Sequence, residues 1–225
     1  MRPDLAHIDA WLFDLDNTLY PGGTGLFAQM NQRIGAYVAR LLNLDPDAAH
    51  RVQKDYFFSH GTTLAGLMAD HGVDPYHYLA DVHDIEIDIL EQNAPLAAAI
   101  AKLPGRKLVF TNADAPYAER VLDRLGIRAH FEAIHDVHAS SYHPKPHPHA
   151  YASLCKAYRI DPTRALFVED MARNLAPAKA LGMTTVWVNN GSEQAPSDTD
   201  DADHGFIDHI THDICHWLET IQEHP

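Results

Sequence analysis

The chain of 225 residues sets 17 Lys and Arg against 31 Asp and Glu. The resulting net charge of −14 excludes non-specific binding to a nucleic-acid polymer or an anionic membrane, while leaving a local basic pocket open. Hydrophobic residues make up 46% and charged residues 21%, ordinary for a soluble protein with one sizeable core and space for a smaller second lobe. Cys155 and Cys215 lie far apart and suggest no disulfide framework, and the first ten residues lack the apolar core of a signal peptide. A cytoplasmic, reducing setting is therefore expected.

Trp11, Leu12 and Phe13 form a continuous apolar run, as in a strand buried on both faces of a parallel sheet. The run ends in Asp14-Leu15-Asp16, at the carboxyl end of that strand, where open α/β sheets hold their ligand crevices. If the strand continues, both aspartates face the same side. Two adjacent carboxylates repel unless a cation, a proton or a hydrogen bond separates them, so other residues are expected to complete this site.

Pro21 to Gly25 marks a turn, and apolar residues then recur at helical spacing over 26–42. Asp45-Pro46 opens a second helix carrying Val52, Tyr56 and Phe57. His60-Gly61-Thr62-Thr63 interrupts the pattern, Leu64, Leu67 and Met68 resume it, and Asp74-Pro75 opens another short helix. Residues 21–90 thus read as an all-helical block, set into a core formed by 1–20 and 91–225. In that core, helices over 95–103, 115–125, 146–158 and 173–181 alternate with strands over 107–110, 131–135, 165–168 and 184–188. The alternation predicts an α/β fold, a doubly wound, Rossmann-like parallel sheet. Residues 191–203 read as an acidic surface loop, and 211–221 as a closing amphipathic helix.

The three clearest strands each run into useful polar groups: Asp14 and Asp16 after 11–13, Thr111-Asn112 after 107–110, Glu169-Asp170 after 165–168. Lys145 lies between Pro144 and Pro146. In a parallel sheet these ends share one edge. Several carboxylates and no sulfur suit a hard cation, Mg²⁺ above all. A carboxylate can also act as a nucleophile and form an aspartyl-phosphate, with a lysine and a hydroxyl holding the phosphoryl oxygens. His135, His138, His143, His147 and His149 offer imidazoles, but their spacing is irregular and prolines intervene, so a solvated loop beside Lys145 is expected. Thr62 and Thr63 either cap a helix or face the crevice; the spacing leaves both open.

D-L-D-N-T at 14–18, F-T-N at 110–112, K-P at Lys145 and V-E-D at 168–170 resemble, in order, the four motifs of the haloacid dehalogenase superfamily. The helical block resembles the cap which that superfamily inserts after its first motif. Within it, D-N-T-L-Y, H-G-T-T-L-A-G-L-M at 60–68, F-T-N-A and E-D-M-A-R-N are similar to pyrimidine 5′-nucleotidases. The resemblance implies a phosphomonoesterase acting on nucleoside monophosphates of the UMP and CMP type. Asp14 would be its nucleophile and Asp16 its general acid, then base. Thr111 and Lys145 would hold the phosphoryl group, Asn112 would orient it, and Thr62 and Thr63 would contact the substrate. Mg²⁺ would be held by Asp14, Asp170, the Asp16 carbonyl and Glu169. Glu169-Asp170 departs from the paired aspartates of those nucleotidases and matches sugar-phosphate relatives, which keeps a sugar-phosphate phosphatase or mutase open. A catalytically silent regulatory protein is a third reading, opposed by the completeness of the polar set. Dehalogenases of this kind lack the acid at the position of Asp16.

Overall fold

The computed structural model describes residues 5–191 and 205–222. Strands β1 (Ala10–Phe13), β2 (Arg106–Phe110), β3 (Ala133–His135), β4 (Ala165–Glu169), β5 (Thr184–Val188) and β6 (His209–Thr211) form one parallel sheet ordered β3-β2-β1-β4-β5-β6. β1 lies inside it, with Ala10 opposite Arg106 on one side and Ala165 on the other. Its side chains alternate between two cores. Trp11 and Phe13 join Val109, Val168 and Val186, while Ala10 and Leu12 join Phe110, Phe167 and Trp187. Both faces of the sheet are covered, and this is why β1 has no polar residue. Each fully buried large side chain contributes about 1.5–3 kcal/mol.

The chain builds outward from β1 to β2 and β3, then returns to β4 on the other side. The strand order therefore reverses between β1 and β4, where open α/β sheets leave a crevice. Asp14 and Asp170 follow the ends of those two strands, and Asp14 N–H donates to Val168 O at 2.9 Å.

Between β1 and β2 run helices α1 (Leu26–Leu42), α2 (Pro46–His60), α3 (Thr63–His71), α4 (Pro75–Val82) and α5 (Ala94–Lys102). Four starts share one device, an Asp or Asn cap with proline in the first turn. Asp45 accepts from Ala48 N, Asp74 from Tyr76 N and Asn93 from Leu96 N; Asp114 accepts from Tyr117 N at the head of α6 (Ala115–Leu125). The first four helices enclose their own core of Tyr37, Val38, Leu67, Tyr78 and Val82, joined by Val137 from the segment after β3. Tyr20 and Leu90, where the chain leaves and rejoins the sheet layer, are both buried in the core that contains Trp11 and Phe13. The helices α7 (Pro148–Tyr158), α8 (Ala172–Ala180) and α9 (Ile214–Gln222) complete the layers.

Three local expectations are corrected. β1 stops at Phe13 and the chain turns at once: Thr18 N and Leu19 N both donate to Leu15 O, and Asn17 takes φ +59°. The direction of Asp16 is thus set by a turn, not by the strand's pleat. His135 does not lie in a solvated loop; it ends β3, buried, with Nε2 2.9 Å from Ser153 Oγ. The closing helix begins at Ile214, because 209–211 are taken into the sheet by pairing with β5. Except for Gly191, the acidic segment 191–203 lies outside the described residues. Among the described residues no helix is long and apolar enough to cross a membrane.

Candidate active site

Lys145 is 1% exposed, and its ammonium has three hydrogens and three acceptors. Nζ donates to Asp14 Oδ1 at 2.7 Å, Glu169 Oε2 at 2.7 Å and Phe110 O at 2.8 Å. The rings of Phe110 and Phe167 sit 5.0 and 5.3 Å away. A buried cation is tolerable only when satisfied in this way. Burial alone would pull its pKa down, but the Asp14 and Glu169 carboxylates outweigh burial and hold it above the ordinary lysine value. Asn112 clamps the same residue from behind: its Oδ1 accepts from Lys145 N at 2.8 Å and its Nδ2 donates to Lys145 O at 3.2 Å.

Asp14 receives Lys145 on one oxygen and the Thr18 hydroxyl on the other, at 3.0 Å. Burial first, then the Glu169 charge, lifts its carboxyl to about 7 against the pull of Lys145. Oxygens of Asp14, Glu169 and Asp170 all lie within 4.8 Å of one another. One ammonium among three such carboxyls leaves excess negative charge, and an all-oxygen donor set of this kind fits a hard divalent cation. Glu169 already holds Lys145 with Oε2 and accepts from Met171 N at 3.2 Å with Oε1, so it also fixes the lysine. Thr111 Oγ1 accepts from Ala113 N at 3.0 Å, and among the described residues its own hydroxyl proton has no acceptor.

Asp16 is held differently. Its Oδ1 accepts from Tyr20 OH at 2.5 Å and from Tyr117 OH at 2.8 Å. Burial raises its pKa and these two bonds oppose the rise. The His83 ring stacks on Tyr117 at 4.4 Å, and its Nδ1 is 2.9 Å from Asp114 Oδ1. Neither tyrosine was anticipated. Tyr20 stands four residues after Asp16, a spacing that fits one turn. Tyr117 lies 101 residues away and leaves no local signal.

A cavity of about 140 Å³ separates these groups from the helical insert, and both Thr62 and Thr63 border it. Their hydroxyls are already engaged. Thr62 Oγ1 accepts from Ala65 N and caps α3, as one of the two alternatives had it, and Thr63 Oγ1 donates to Gln53 O at 3.1 Å. Next to Thr62, Gly61 takes φ +86°. A Cβ there would lie 3.1 Å from Pro144 Cγ and 3.3 Å from Lys145 O, so glycine meets both a conformational and a steric demand. Arg173 spans the same seam, with its guanidinium 4.2 Å from the Phe57 ring centre and a hydrogen bond to Gly61 O. His138 stacks on Tyr76, while His143 sits between His147 and His149 at the surface.

The family pattern described as "Hydrolase: haloacid dehalogenase-like hydrolase" matches residues 8–182, from the start of β1 past the end of α8. The chain belongs to that family. Among curated proteins it is similar to "Phosphate metabolism protein 8" of Saccharomyces cerevisiae, 26% identical over 197 residues; the match covers 80% of this chain but only 61% of that relative. Among solved structures, the HAD phosphatase from Thermococcus onnurineus shares the fold at 16% identity and TM-score 0.62, over 95% of this chain and 97% of that one. So does the L-2-haloacid dehalogenase from Xanthobacter autotrophicus, at 17% identity and TM-score 0.58, over 97% and 100%.

Proposed function

We propose that this chain is a phosphomonoesterase that works through an aspartyl-phosphate and acts on nucleoside monophosphates, pyrimidine ones preferred. The observation that carries the reading is the half-buried Asp16, two residues past Asp14, with one oxygen anchored by two phenols. An alcohol leaving group needs a proton as its bond to phosphorus breaks, whereas a departing halide needs none. A fixed second carboxyl therefore favours phosphate ester cleavage over dehalogenation. The name of the yeast relative, a phosphate metabolism protein, points the same way.

In this reading an Asp14 oxygen forms the new bond to phosphorus while the ester oxygen departs with a proton from Asp16. Asp16 then takes a proton from water, which attacks phosphorus, frees Asp14 and yields inorganic phosphate. Lys145 and Thr18 hold Asp14 in place, and the Thr111 hydroxyl donates to a phosphoryl oxygen. Mg²⁺, held by Asp14, Asp170 and Glu169 with the Asp16 carbonyl, would supply positive charge for the phosphoryl oxygens. The test is phosphate release from UMP, CMP, dTMP, AMP, GMP and sugar phosphates, with Mg²⁺ and with excess EDTA. Release from the pyrimidine nucleotides that stops with EDTA is expected. Equal rates on all substrates would remove the nucleotide assignment, and undiminished rates in EDTA would remove the metal.

A further inference from the structure

The wall of the cavity opposite Asp14 is largely apolar, with Met30, Ile34, Leu64 and Tyr78 in it, yet it contains one amide pair. Gln53 of α2, 3% exposed, donates from Nε2 to Asn31 Oδ1 of α1 at 3.1 Å. Both residues border the cavity. Among the described residues Gln53 Oε1 and Asn31 Nδ2 have no protein partner, and neither is sealed from open space. One acceptor and one donor are therefore spare, side by side. Turning both amides over exchanges the atoms and still leaves one of each. Gly35 makes room for the pair, since a Cβ there would lie 3.2 Å from Gln53 Oε1. A buried amide left half-satisfied costs stability, and such a group in a cavity wall is explained when a ligand completes it.

We infer that Gln53 and Asn31 read the polar edge of the leaving group. That edge presents a donor beside an acceptor on a flat ring, as a pyrimidine base does at N3 and its 4-substituent. The inference rests on the nucleotidase reading and names the residues through which the base would matter. In uracil, N3–H would donate to the spare acceptor and O4 would accept from the spare donor. In cytosine the exocyclic amine donates and N3 accepts, so the same pair serves both. A sugar phosphate without a base offers neither contact and leaves the amides unpaired. Sites built to hydrogen-bond a substrate reject analogues lacking the partner.

The experiment measures kcat/KM for UMP and for ribose 5-phosphate in wild type, Asn31→Asp and Gln53→Leu. Asn31→Asp is the cleaner variant: it keeps an acceptor for Gln53 Nε2 and replaces only the spare donor. Wild type should prefer UMP, and the UMP to ribose 5-phosphate ratio should fall about tenfold or more in each variant, the worth of one good hydrogen bond. An unchanged ratio, including a parallel loss on both substrates, overturns the inference and leaves the phosphatase standing. So does a wild type that cleaves ribose 5-phosphate as well as UMP. A wild type inactive on every phosphomonoester overturns both readings.

Discussion

On one side of the cavity Lys145 uses all three of its hydrogens, Asp14 and Glu169 have both oxygens engaged, and Asn112 locks the lysine's main chain at two points. On the other side, aliphatic and aromatic groups surround two amides with capacity left over, while the Thr62 and Thr63 hydroxyls serve the helix backbone. The charged side is a closed network, in which each of these groups already has its partners. The apolar side is a surface that can be resized one residue at a time. Under the proposed function, chemistry that must occur in one geometry falls to the first, and discrimination among leaving groups to the second.

That contrast can be broken by experiment, and the largest expected effect is at Asp14. Asp14→Asn should lower kcat by about a thousandfold or more while leaving the melting temperature close to wild type. A rate within tenfold of wild type would mean the nucleophile lies elsewhere. Lys145→Met should act on stability as well as on rate, because it leaves buried carboxylates without their cation. A loss of about 3–5 kcal/mol in urea unfolding is expected. A loss below 1 kcal/mol would show that water or ions replace the ammonium freely.

His135 lies outside both walls and tests burial by itself. Burial lowers its pKa from 6.5 to about 4, so the folded protein resists a proton that the unfolded chain accepts. Stability should hold above pH 6.5 and decline as pH falls from there toward 4. Melting curves of wild type and His135→Gln across this range should differ in slope, and parallel curves would assign the acid response to other groups. At Asp16, Tyr117→Phe removes one of two anchoring bonds and should reduce kcat about fivefold, with KM less affected. The smallest effect belongs to Thr62→Ala, which should cost about 1 kcal/mol of stability through the lost helix cap and little activity. A tenfold change in kcat/KM would instead give that hydroxyl a role toward substrate.

Much of this was legible in the sequence because it depends on near neighbours. The apolar run Trp11 to Phe13 announces a strand covered on both faces, and the Asp-Pro starts announce helices. The polar residues after Phe13, Phe110 and Val168 fall together because parallel strands share an edge. Other features depend on residues far apart. The bond from Tyr117 to Asp16 spans 101 positions, and Gln53 finds Asn31 only because α1 and α2 pack side by side. β6 escaped notice for another reason. It is three residues long with Ile210 exposed, and it exists through pairing with β5, not through burial. The turn at Asp16 was hidden by the strand-like residues before it.

Tyr20 and Leu90, where the helical insert leaves and rejoins the sheet layer, share one apolar cluster that also takes in Leu26 and Met30 of α1. A lineage can lengthen, trim or exchange the insert's other helices without shifting the register of Ala10 against Arg106 and Ala165. Descendants of such a chain can change their diet while inheriting their teeth.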